Sequence, residues 1–175
     1  TVENGVELWI LDIAKLEARK IMDAKINANM GSAFSWFRDG KSLLVKKLPQ
    51  QRKALYQKDN VIPTGPTIST SNGQKAQNRT YQDLLQDKYD EENFEILAEA
   101  ELVKVSLDGK ETPFLPKAMY NWVSFSPDGS YLMIKTLHRP FSYLVPYSRF
   151  PSQTNVYSKV GELISKFHET PLIEV

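Results

Sequence analysis

The segments "AFSWFRDGKSLLVKK" (33–47) and "WVSFSPDGSYLMIKT" (122–136) align without a gap. That repeat constrains the fold more than any other feature of the chain. Both copies read apolar-Ser-aromatic-x-x-Asp-Gly-x-x-Leu-apolar-apolar-Lys, with Asp39-Gly40 matching Asp128-Gly129. An Asp-Gly pair between two alternating apolar runs is a hairpin signal, because glycine supplies the positive φ that a tight turn needs. Each copy is therefore expected to form two antiparallel strands.

A further strand-like stretch precedes each copy: "ELWILDIAKLEARKIM" (7–22) before the first and "ELVKVSLDGKETPFL" (101–115) before the second. A third partial copy, "NVYSKVGELISKF" (155–167), follows. The unit is strand, turn, strand, then an aromatic-Ser-x-x-Asp-Gly hairpin, which is how four-stranded propeller blades repeat. We therefore expect an all-β chain with short helical insertions. Its architecture would be a partial β-propeller of about two four-stranded blades and the start of a third. Residues 1–175 read as a fragment of one such domain.

Two insertions break the period, at 48–99 and at 136–154. The first holds a Pro/Gly/Ser/Thr/Asn-rich loop followed by "YQDLLQDKYDEENFEILAEA". There Tyr81, Leu84, Leu85 and Tyr89 recur at i, i+3, i+4 and i+8 after Thr80, an N-cap candidate with Asp83 three residues on. This predicts one or two short helices. The second insertion contains "TLHRPFSYLVPYSRFP" (136–151), which carries aromatics, prolines, arginines and a histidine where a hairpin should pass to the next strand.

Composition narrows the function classes. With 22 Lys+Arg against 21 Asp+Glu the net charge is +1, so global charge gives no argument for nucleic acid or an anionic membrane. Locally the charges separate. Six cations and no acid lie between Lys41 and Lys58, whereas Asp83 to Glu101 holds eight acids against Lys88 alone. We read the cationic run as a solvated face; it lacks the interleaved aromatics of a single-strand nucleic-acid binder. The chain has no cysteine, which excludes disulfides, a thiolate nucleophile and a Cys-based zinc site. No run reaches the ~20 apolar residues of a membrane-spanning helix. Because the chain opens almost directly on a strand-like run, we expect it to start inside a longer protein, and an incomplete set of blades to self-associate through open edges.

The order "PTGPTIS", "QNRTYQDLLQDKYDEENFE", "LVKVSLDG", then "FSPDGSYLMIKTLHRPFSYLVPYSRFP" resembles the N-terminal β-propeller of the prolyl oligopeptidase-type serine peptidases. Within that group the likeness is to the glutamyl endopeptidase branch, which includes the chloroplast glutamyl peptidases. It extends over about residues 34 to 165, insertions included. The resemblance implies a secreted, periplasmic or organellar parent in which a C-terminal α/β-hydrolase domain supplies a Ser/Asp/His triad. In such a parent the propeller covers the active site and restricts or selects peptide substrates. That catalytic domain is absent from this sequence, which contains no Gly-x-Ser-x-Gly nucleophile elbow. No catalytic residue, metal ligand or cofactor is therefore assigned, and this chain alone is expected to have no peptidase activity. The alternative is a TolB-type propeller that binds or scaffolds proteins without any peptidase partner.

The candidate substrate-binding residues are Arg139, His138, Arg149 and Arg79. Arg139 follows a strand and precedes Pro140, so the chain must leave the ladder there. Its guanidinium would either grip an acidic substrate bidentately or, structurally, pair with an acid of the 83–101 segment or cap carbonyls. Arg79 and Arg149 carry the same two readings. For His138 a hydrogen-bonded loop position is expected. Phe141, Tyr143, Tyr147 and Phe150 either bind a peptide backbone or pack their rings over a sheet edge.

Overall fold

The computed structural model describes residues 1–57 and 81–174. β1 (Leu8–Asp12) and β2 (Glu17–Met22) form a separate hairpin. The other strands are β3 (Phe34–Trp36), β4 (Ser42–Lys47), β5 (Ala100–Ser106), β6 (Glu111–Phe125), β7 (Tyr131–Leu137), β8 (Ser152–Ser158) and β9 (Leu163–Thr170). They follow one another in chain order as a seven-stranded antiparallel meander. Among the described residues one α-helix, α1 (Lys88–Ala98), lies between β4 and β5. The described chain is thus mostly β, as the sequence leads one to expect.

β6 divides the meander. Its residues 111–118 pair with β5, and residues 119–125 pair with β7. Among the described residues no strand pairs with the first half on its other side, and Pro113 and Pro116 withdraw two N–H donors from that edge. The chain therefore makes two four-stranded groups, β3-β4-β5-β6 and β6-β7-β8-β9. The stretch 155–167, expected to begin a third unit, is instead the β8–β9 hairpin of the second group, hydrogen-bonded to β7. The sequence repeat starts two strands out of phase with the hydrogen-bonded group.

The side chains of β4 show how these layers stack. Leu43 and Val45 point to a cluster with Leu8, Ile21, Met22, Val103 and Val105, so the β1–β2 hairpin covers one face of the first group. Leu44 points the other way and meets Phe37, Leu102, Tyr120, Leu132 and Ile134, so the second group covers the opposite face. Each such buried aliphatic side chain contributes about 1.5–3 kcal/mol. Period-two alternation normally leaves one face of a strand wet. Here both faces are dry, and that is why the run Leu43–Val45 is apolar without interruption.

Both Asp-Gly segments form the expected hairpin turns. Gly40 has φ +66° and Gly129 φ +73°, and in each turn the glycine N–H donates to the carbonyl three residues back. The helix differs from its sequence-based position. α1 begins at Lys88, not in the 81–87 stretch, because Asp87 takes the N-cap: its Oδ1 accepts from Asp90 N–H at 3.0 Å, and Asp90 Oδ2 accepts from Gln86 N–H at 3.0 Å. This resembles a capping box built on aspartates, with the returning bond taken from the residue before the cap. Asp83 sits at φ +56°, outside the helical region, which breaks the Tyr81–Tyr89 stripe. Thr80 lies outside the described residues.

Candidate functional site

β7 ends at Leu137 and β8 starts at Ser152, so the excursion between them is 138–151, closed by His138 N–H donating to Pro151 O at 3.0 Å. It lies against α1. The helix itself is fixed from a distant part of the chain: Asn27 Nδ2 donates to the carbonyls of Leu97 (2.9 Å) and Glu99 (2.7 Å), and Asn29 Nδ2 donates to Leu97 O at 3.0 Å. α1 has no basic residue in its last turn; the two asparagines reach the carbonyls of Leu97 and Glu99, and Arg52 Nε donates to Ile96 O at 3.4 Å, so carbonyls that a helix end leaves open are met by side chains from outside the helix.

Two contacts join helix and excursion. One is aromatic: Phe94 of α1 meets Phe141 edge-on at 5.2 Å and Phe150 at 5.6 Å, while Phe141 and Phe150 stack at 5.2 Å. The rings expected to pack within the loop therefore share their cluster with the helix. The second contact is ionic and centres on Arg139. Its Nε and Nη2 both donate to Glu95 Oε2, at 3.0 and 2.8 Å; Nη2 also reaches Glu92 at 3.2 Å, and Nη1 donates to Glu91. Glu91 accepts a further hydrogen bond from the Tyr143 hydroxyl at 2.7 Å. The guanidinium lies 5.0 Å from the Phe141 ring centre, adding a cation–π contact. The Glu95 hydrogen bond and the surrounding carboxylates hold Arg139 still more firmly charged, and Glu91 pushes the Tyr143 phenol upward.

The other candidates are dispersed. His138 Nδ1–H donates to its neighbour's carbonyl, Arg139 O, at 2.8 Å, a local loop contact. Arg149 ends the 3₁₀ turn Tyr147–Arg149, its guanidinium 5.6 Å from the Tyr81 ring and its carbonyl accepting from Ile173 N–H. Arg79 lies outside the described residues. Among the described residues no group of three or more His, Asp or Glu side chains is arranged to hold a metal ion.

Sequence reasoning placed Lys46 in a solvated cationic run, and the structure corrects this. Lys46 is buried, and its ammonium donates to Met30 O at 2.5 Å. Burial pulls its pKa down to about 8. The signal was present in the neighbours: Lys46 continues the apolar run of a strand covered on both faces, so a cation there must find a carbonyl.

The chain is 40% identical over 173 residues, 97% of its length, to "Probable glutamyl endopeptidase, chloroplastic" of Oryza sativa subsp. japonica. It is 35% identical over 180 aligned positions, 98% of its length, to the protein of the same name from Arabidopsis thaliana. It spans 18% of the length of each of these curated relatives. No family model matches the chain, and no solved structure matches it. The likeness over nearly the whole chain relates it to proteins named glutamyl endopeptidase.

Proposed function

We propose that residues 1–175 are a non-catalytic β-propeller portion of a serine peptidase of the prolyl oligopeptidase type, in its glutamyl endopeptidase branch. Its task there is to cover the active site and to restrict or select acidic peptide substrates. The observation that carries this reading is 40% and 35% identity, across nearly the whole chain, to a minor share of two much longer proteins with that peptidase name. Two stacked groups of four antiparallel strands, each opened by an Asp-Gly hairpin, are compatible with consecutive blades.

Within this reading the excursion 138–151 and α1 form one face whose polar centre is Arg139. Its donors already face three carboxylates of the chain, which supports a role in anchoring the excursion to the helix. The test compares the purified chain with the longer polypeptide that contains it. The chain alone should leave a Glu-containing fluorogenic peptide intact, and the longer protein should cleave it and react with a serine-directed phosphonate. Labelling of 1–175 itself would overturn the non-catalytic assignment. In the longer protein, Arg139→Ala should lower Tm and reduce kcat/KM on Glu and Gln substrates alike. A loss of roughly 30- to 1000-fold confined to the Glu substrate would make Arg139 a substrate-recognition residue instead.

A further inference from the structure

The three outer hairpins, β1–β2, β5–β6 and β8–β9, share a feature that the repeat in sequence does not display. Each carries a β-bulge at the same place, between the fourth and fifth residues counted back from the last residue of its first strand: Leu8/Trp9, Leu102/Val103 and Thr154/Asn155. At this bulge the residue left without a partner on the second strand is Ile21 in β2, Phe114 in β6 and Phe167 in β9; β5–β6 and β8–β9 each carry one further irregularity, at Ala100/Leu102 and at Val156/Tyr157. A bulge kinks its strand and redirects the local backbone groups.

In the first two hairpins the bulge carbonyl receives the next hairpin. Gly109, in the β5–β6 turn, lies so close over Ile21 that a Cβ on it would fall 2.9 Å from Ile21 O. Gly161, in the β8–β9 turn, stands in the same relation to Phe114 O, at 2.8 Å. Both glycines have φ near +90°, a conformation that L side chains rarely adopt. The stacking step is thus repeated with the same parts: a bulge carbonyl on one hairpin and a left-handed glycine on the next. The covered bulge residues are buried (Ile21) or half-buried (Phe114), whereas Phe167 is 65% exposed, with Ile164 and Leu163 exposed beside it.

We infer that β9 is the seat for a further β unit, whose outer turn places a positive-φ glycine over the carbonyl of Phe167. A second copy of this chain does not fit that seat. Among the described residues its free outer turn is β1–β2, where the position equivalent to Gly109 and Gly161 is Leu16, at φ +56°. The Leu16 Cβ would stand where the seat admits none. The occupant is therefore sequence following this stretch in the longer polypeptide, in keeping with relatives of which the chain spans 18%. The inference rests on the proposed reading of the chain as part of such a protein.

Hydroxyl-radical footprinting of unmodified protein tests it. Oxidation of Phe167 and Ile164 should fall several-fold from 1–175 to the longer polypeptide, while that of Ile21 stays low in both. Equal oxidation of Phe167 in the two would overturn the inference. Benzoylphenylalanine at position 167 of the longer polypeptide should crosslink within one molecule, to a peptide that contains a hairpin glycine. A crosslinked dimer joined through residues 12–17, or a crosslink to a segment without such a turn, would also overturn it. Peptidase activity in the same preparation is scored separately. Protection without hydrolysis leaves the seat and removes the peptidase reading, and hydrolysis without protection does the reverse.

Discussion

The two Asp-Gly turns are nearly the same in sequence and are held by different forces. Where the first has Phe37, the second has Ser126. Phe37 is buried, meets Phe125 edge-on at 5.0 Å and Phe114 at 6.0 Å, and lies under the Lys104 ammonium at 4.4 Å. Ser126 instead knits its own turn: its hydroxyl donates to Asp128 Oδ1 at 2.6 Å and accepts from Tyr131 N–H at 3.0 Å. The glycines differ too. A Cβ on Gly40 would meet nothing within 4 Å, whereas one on Gly129 would lie 2.7 Å from Arg38 Cβ. The first turn is pinned by the layer below it, and the second closes on itself and leans on the first. A repeat in sequence therefore fixes the hairpin and leaves its anchorage to the neighbours.

Four measurements sharpen or break that contrast. The largest effect should come from Phe37→Ala, which empties a buried aromatic site and should cost about 3–5 kcal/mol in urea unfolding; a loss comparable to that of Ser126→Ala would mean that packing does not hold the first turn. Next, Gly129→Ala should cost about 2–4 kcal/mol, combining left-handed strain with overlap on Arg38, against about 1–2 kcal/mol of strain alone for Gly40→Ala. Equal losses for the two glycines would erase the distinction. Ser126→Ala should follow, at about 1 kcal/mol for its hydrogen bonds.

The smallest effect is a dependence on pH. Ser126, followed by Ser130, lowers the folded pKa of Asp128 to about 2, below the ~3.9 of an unfolded aspartate. A depressed carboxylate pKa favours the fold above the unfolded value, and the benefit disappears as pH falls through the folded one. Wild type should therefore exceed Asp128→Asn in Tm at pH 5, and the gap should close as pH approaches 2. A gap that does not change with pH would show that the carboxylate charge plays no part in the turn.

How much of this was legible in the sequence follows from how local each cause is. The Asp-Gly hairpins and the break at Arg139-Pro140 were readable because turn geometry is decided within a few residues. The acids of 83–101 were named as one possible partner for Arg139 because opposite charges were segregated along the chain; which of them it meets depends on α1 starting at Lys88, behind its Asp87 cap. That start was missed because the Tyr81–Tyr89 stripe has helical spacing, while the competing Asp87/Asp90 cap gives no apolar signal. The asparagine clamp on α1 was out of reach, since Asn27 and Leu97 are separated by 70 residues. The burial of Lys46 had the apolar run Leu43–Val45 before it as its one signal, because it depends on both faces of β4 being covered. The shared bulges leave no residue signature at all: Ile21, Phe114 and Phe167 have only their place in the register in common.

β6 carries one more implication. A strand that belongs to both groups gives them a common frame of reference, because its backbone pairs with β5 at one end and β7 at the other. A slip of one residue against β5 would turn every side chain of that half to the wrong face, and the displacement would pass along the same strand into the pairing with β7. The single irregularity within its second half, at Asn121, is locked in turn, since a Cβ on Gly31 would fall 2.3 Å from the Asn121 carbonyl. Alignment is thus inherited from one group by the next, and the two should open together as one cooperative unit rather than fray separately.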